Sequence, residues 1–193
     1  VLYNIYYAYI GNGLSGQQSN INDNLIQGNR GGGTWYGLYG FSTSGTLPFN
    51  VYNNRVWDDT TTGVSSLSYL MYVSPSSPVN IYKNNIANIY ATGATGPTMY
   101  SLYLTNSSGT PANVYNNFIS NIVPLNSPGT LYCPVFGIYQ TGTAQANIYN
   151  NTIKLDSNGF RFNRNVGMAG LAFAGSNPTL INLYNNIRFL NQL

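Results

Sequence analysis

The pentapeptide Asn50-Val51-Tyr52-Asn53-Asn54 recurs as Asn113-Val114-Tyr115-Asn116-Asn117, and near copies start at residues 20, 80, 147 and 182. Their leading asparagines are therefore spaced by 30, 30, 33, 34 and 35 residues. Between them lies a second element, written TWYGLYGF, LSYLMYVS, TMYSLYLT, PVFGIYQT and GMAGLAFA, and the opening LYNIYYAYI fits this second element. A repeat of this size means one supersecondary unit per period, stacked on its copies. Any fold must place equivalent residues of successive repeats side by side.

The repeat is not helical. Val, Ile and Tyr dominate the motifs and favour strands. Asn-Asn pairs and Gly-rich pieces interrupt every stretch long enough for a helix. The apolar residues alternate with period two, and no i, i+3, i+4, i+7 stripe persists. Short strands separated by turn residues at a fixed period predict a β-solenoid of about five coils. Each coil holds about three strands: the Asn-Val/Ile-Tyr stretch, a strand after the Asn pair such as 118–122, and the Gly-Leu-Tyr element. At the ordinary strand spacing the stack forms a rod about 25 Å long. The whole chain, 1–193, reads as one domain or segment. It comprises a partial coil over 1–19, coils starting at 20, 50, 80, 113 and 147, and a partial coil over 182–193.

The pattern I-Y-N-N-x-I, then G-I-Y, then another I-Y-N-N resembles the right-handed parallel β-helix repeats of pectate-lyase-like proteins. ANIYNNTIKL at 146 and INLYNNIRFL at 181 are similar to repeats of large secreted surface proteins of Bacteroidota. The resemblance covers roughly residues 20–190. It implies an all-β, right-handed parallel β-helix. That architecture hosts lyases, hydrolases, epimerases, adhesins and inert stalks, so it implies no single function.

Stacking assigns roles to the repeated residues. Asn24, Asn54, Asn84, Asn117, Asn151 and Asn186 share one column beside a tight turn, a place that asparagine tolerates. Each amide can donate to one neighbouring coil and accept from the other. An inward asparagine ladder follows. Alternation then points Val51, Ile81, Val114, Ile148 and Leu183 inward and Tyr52, Tyr82, Tyr115, Tyr149 and Tyr184 outward. The tyrosine column packs against itself or offers an aromatic strip to a sugar or another protein. Ile26, Val56, Ile86, Ile119 and Ile153 point inward after the turn. Arg188 occupies the sixth place in that series, so either the register slips to Ile187 or Phe189, or the stack is ending. Asn150-Asn151-Thr152 and Asn106-Ser107-Ser108 fit a glycan acceptor pattern, which is secondary to the ladder.

Composition narrows the chemistry. Charged residues make up 6% of the chain, with four Asp, no Glu, no His and seven Lys plus Arg. A typical domain carries about 25%. A net charge of +3, scattered along the chain, gives no basic stripe for nucleic acid. Without His or Glu the usual general bases are missing, and one cysteine, Cys133, with no His makes no zinc site. No cofactor is expected. Asp59 and Asp156, counted from their leading asparagines, share a column three coils apart, about 14 Å by strand spacing. Glycosidase carboxylates lie roughly 5–9.5 Å apart. Asp58 and Asp59 face opposite ways on a strand, and Asp59 is placed to pair with Arg30 at the surface. The glycine run RGGGTW at 30 lacks the Lys-Ser/Thr ending of a phosphate loop.

The turn between the second and third strands grows along the chain and is longest at DSNGFRFNRNVG. It carries Asp156, Phe160, Arg161, Phe162 and Arg164, a candidate site for an acidic glycan or a partner. No run of about 18 apolar residues is present, so no membrane span is expected. The chain starts at Val1 with nothing like a signal peptide, as a processed product or a piece of something longer. Neither end resembles a polar cap, so partner surfaces are expected there: further coils of the same polypeptide or end-to-end copies. The preferred function is a non-catalytic segment of an extracellular stalk, adhesin or filament at the cell surface. One alternative is a carbohydrate-binding β-helix using the exposed tyrosine column and the 156–167 loop, with a polysaccharide or another surface protein as partner. Another is part of a lyase or hydrolase whose catalytic residues lie elsewhere.

Overall fold

The computed structural model describes residues 2–10, 18–42, 47–62, 66–92, 97–106, 111–124, 134–156, 168–174 and 180–191. Among them every regular element is a β-strand. The strands form three parallel sheets, each receiving one strand per repeat.

The motif sheet contains Asn20–Asn22, Phe49–Tyr52, Val79–Tyr82, Ala112–Tyr115, Ala146–Tyr149 and Ile181–Tyr184. The post-turn sheet contains Leu25–Gln27, Arg55–Trp57, Asn85–Ala91, Phe118–Pro124, Thr152–Asp156 and Ile187–Asn191. Two short strands, Arg30–Gly31 and Thr60–Thr61, pair with each other beside it, and the second also pairs with Asn85–Ala91. The aromatic sheet contains Leu2–Ile10, Trp35–Ser42, Leu67–Ser74, Thr98–Asn106, Val135–Gly142 and Met168–Ala174. Every neighbour in these sheets is the equivalent strand of the next repeat. The architecture is thus the parallel β-solenoid that the period requires.

Register follows the repeat. Asn50, Asn80, Asn113, Asn147 and Asn182 align in turn, as do Tyr52, Tyr82, Tyr115, Tyr149 and Tyr184. Alternation then sorts the faces. Val51, Ile81, Val114 and Ile148 are fully buried, and so are Val56, Ile86, Ile119 and Ile153, with Ile26 almost so. These two columns meet Leu38, Met71, Leu102 and Ile138 of the aromatic sheet in one continuous core. Leu183 keeps its place above Ile148 but is 44% exposed on the last described strand of its sheet.

Two kinds of turn make the corners. At the first, the residue before the ladder asparagine adopts a left-handed backbone: Asp23, Asn53, Lys83, Asn116, Asn150 and Asn185, with φ between 48° and 57°. At the second, Gly28, Asp58, Asn88 and Asn121 do the same. Asn and Asp tolerate this region and Gly enters it freely. Backbone angle and ladder are therefore divided between adjacent residues of the Asn pair.

Three expectations need correction. Asp59 does not pair with Arg30 at the surface: Arg30 aligns with Thr60, and Asp59 is fully buried. The left-handed residue at 58 turns the chain so that the next side chain points inward. Asp59 and Asp156 do not share a column either. Tyr90 aligns with both Thr60 and Val123, and Ile122 aligns with Leu155. The register shifts between Ser120 and Ile122, where Asn121 is left-handed and 152–156 has no such residue. Finally, the register does not slip at Arg188, which aligns with Ile153. Its stem lies over Gly170, where an added Cβ would come within 3.1 Å of it, and the side chain is exposed. The apolar stem packs while the charge stays in water.

Candidate functional site: amide ladders and aromatic columns

Hydrogen bonds link the inner asparagines without a gap. Nδ2 donates to Oδ1 of the next repeat from Asn24 to Asn54 at 2.8 Å, Asn54 to Asn84 at 3.0 Å, Asn84 to Asn117 at 2.9 Å, Asn117 to Asn151 at 3.0 Å and Asn151 to Asn186 at 3.0 Å. The other hydrogen goes back to a main-chain carbonyl of the preceding repeat from Asn54 to Ile21, Asn84 to Val51, Asn117 to Ile81, Asn151 to Val114 and Asn186 to Ile148, whereas Asn24 donates to the Asn22 carbonyl of its own repeat. Each Oδ1 also accepts the backbone N–H of the preceding ladder residue, as Asn84 does from Asn54 at 3.0 Å and Asn117 from Asn84 at 3.1 Å. Asn54, Asn84, Asn117 and Asn151 are at most 2% exposed, yet both donors and the acceptor of each are occupied. A buried amide is tolerable only on those terms.

A second ladder, which the sequence reading did not assign, lies on the outer face of the motif sheet. Asn50 donates to Asn20, Asn80 to Asn50, Asn113 to Asn80, Asn147 to Asn113 and Asn182 to Asn147, at 2.7–2.9 Å. Its donors point toward earlier repeats, opposite to the inner ladder. A third runs along the second corner, where Gln27 and Asn88 both donate to Asp58 and Asn121 donates to Asn88. The identical leading asparagines were the available signal for the second ladder.

Beside the outer ladder the tyrosines stack. Tyr52–Tyr82, Tyr82–Tyr115 and Tyr115–Tyr149 centroids are each 5.0 Å apart with planes within 7°. Each inner ring thus presents its faces to its neighbours and its edge to solvent. Burial raises the phenol pKa of Tyr82 and of Tyr115, helped by adjacent tyrosines.

The aromatic sheet carries a larger array. Tyr36, Tyr69, Tyr100 and Phe136 stack at 4.8–5.1 Å, and Tyr39, Tyr72, Tyr103 and Tyr139 at 4.8–5.2 Å. Within each strand the two rings meet edge to face, as at Tyr69–Tyr72, 5.3 Å and 89°. Two consecutive inward residues separate them: Gly37 and Leu38, Leu70 and Met71, Ser101 and Leu102, Gly137 and Ile138. Positions three apart therefore share the outer face, and the recurring Tyr-x-x-Tyr was the overlooked sign. Burial, with neighbouring phenols adding to it, pushes Tyr69 and Tyr72 far above the ordinary tyrosine pKa. The array stops where Ala169 and Ala172 replace Phe136 and Tyr139 in register.

Asp59 is a fully buried carboxylate. Its Oδ1 accepts the backbone N–H of Asn29 at 2.6 Å and Asn29 Nδ2 at 2.9 Å. That reproduces one step of the inner ladder. Its register successor is Ile89, so the step is not continued, and Oδ2 has no partner. Desolvation raises its pKa to about 6, against the lowering by Asn29.

Of the remaining candidates, Asp156 ends a strand in register with Asn191, while Phe160, Arg161, Phe162 and Arg164 lie outside the described residues, as does Cys133. Asn106 is fully buried and donates to the Gln145 carbonyl, which leaves no room for a glycan. Among the described residues no group of three or more His, Cys, Asp or Glu could hold a metal ion, and no helix is long and apolar enough to cross a membrane.

No family model matches the chain, and neither a curated protein nor a solved structure matches it.

Proposed function

We propose that this chain is a non-catalytic structural segment of an extracellular stalk, adhesin or filament. The observation that carries this reading is that the repeated polar groups are engaged by their own copies. Three amide columns and three aromatic columns run along the stack, and Asp58 and Asp59 are bound by neighbouring amides. Sparse charge and an amide-rich surface suit a wall or glycan environment. The finer assignment, a right-handed β-helix of the pectate-lyase type, rests on the motif resemblance.

The reading is tested by incubating the purified chain with a panel of neutral and acidic polysaccharides. Unchanged chain lengths are expected. New reducing or unsaturated ends would overturn a non-catalytic role.

A further inference from the structure

The tyrosine column of the motif sheet opens at one place. Tyr149 and Tyr184 are in register, and both line an open cleft of about 410 Å3. Tyr184 is 56% exposed on the last described strand of its sheet, whereas Tyr82 and Tyr115 are each held between two neighbouring rings. Asn113, Asn147, Asn150 and Asn185 complete the lining. Asn113 and Asn147 each use one amide hydrogen in the outer ladder, leaving a second on each. Asn150 and Asn185 hold the left-handed turn with their backbones, and their side chains are exposed.

We propose that this cleft is a binding site for a neutral saccharide, one or two pyranose rings of a longer glycan. The volume lies within the ~300–1,000 Å3 of small-ligand pockets. A pyranose needs an open aromatic face for its C–H side and neutral donors and acceptors for its hydroxyls. Tyrosine supplies the first together with a hydroxyl, and the carboxamides supply the others, although Asn147 offers only a donor because its Oδ1 already accepts from Asn182 and Gln145. No charged residue lines the cleft, so nothing in it favours an acidic ligand over an uncharged one. Tyr82 and Tyr115, stacked on both sides, offer ring edges, on which a sugar ring cannot lie flat. The site therefore goes beyond the structural reading and stands or falls separately from it.

The test is calorimetric titration of the chain with cellotetraose, laminaritetraose and maltotetraose, checked by chemical-shift perturbation. At least one should bind with a Kd below about 1 mM, a free energy of roughly −4 kcal/mol. Tyr184→Ala should weaken it by ~10-fold or more, about 1.4 kcal/mol. Asn185→Gly, which keeps the positive φ and removes only the amide, should weaken it similarly. Tyr72→Phe, on the aromatic sheet, should leave affinity unchanged, and circular dichroism checks that each variant is folded. Absence of binding by all three sugars at 10-fold above that limit, or equal affinity in Tyr184→Ala, would overturn the site while leaving the scaffold function untouched.

Discussion

At the scale of single residues, position in the stack decides what an asparagine does. Asn116 and Asn117 are neighbours in sequence, yet one sets a backbone angle and the other fills a buried hydrogen-bond network. Asn117→Ala removes a donor to Ile81, a donor to Asn151 and the acceptor for Asn84. Each buried group left unpaired costs about 1–3 kcal/mol, so chemical denaturation should show a loss of several kcal/mol. A loss below about 1 kcal/mol, the net worth of one ordinary hydrogen bond, would mean that water or relaxation replaces the ladder. Asp59 gives the pH-dependent counterpart. Its pKa rises on folding from 3.8 to about 6, so the folded state holds the proton more tightly. Its favourable contribution is complete below about pH 4 and is lost as pH rises through about 6. At about 1.4 kcal/mol per unit, the change is at most about 3 kcal/mol. Asp59→Asn should flatten that slope and raise the denaturation midpoint at pH 8. A slope unchanged in the variant would assign it to other groups.

At the scale of strands, the aromatic sheet depends on its paired inward residues. Gly137 is required there, because an added Cβ would sit 2.5 Å from Ile153 Cγ2 and 2.6 Å from the Gly170 carbonyl oxygen. Gly137→Ala should therefore cost about 1–3 kcal/mol, the usual penalty of overpacking, measured by thermal unfolding. A neutral result would mean that the sheets can separate locally. This element also marks how far sequence reasoning reaches. The inner ladder, the motif tyrosines and the apolar columns were legible because equal offsets from a repeated pentapeptide become equal places in a stack. The Tyr36–Tyr139 array was not assigned, because strict alternation puts residues three apart on opposite faces. Asp59 was misplaced for a related reason: the left-handed residue at 58 turns it inward, and two adjacent aspartates carry no mark of that turn. The candidate loop at 156–167 could be named from composition alone, whereas the Tyr149–Tyr184 cleft depends on ring positions that no sequence states.

At the scale of the whole molecule, the solenoid is nearly one-dimensional. Sheet partners lie one repeat away along the chain, so stability accumulates by interfaces between neighbouring coils. The inner and outer amide ladders run along the same axis with opposite donor directions, so their amide dipoles oppose one another. The claim on which the scaffold reading rests is that the inner amides are closed to solvent along the stack. Side-chain amide hydrogen exchange, followed by NMR, tests it most directly. Nδ2 hydrogens of Asn54, Asn84, Asn117 and Asn151 should exchange as slowly as the core backbone amides, while those of the neighbouring Asn53, Asn116 and Asn150 exchange rapidly. Rapid exchange at the inner four, in a protein whose backbone amides remain protected, would contradict the ladder as the element that holds the coils together.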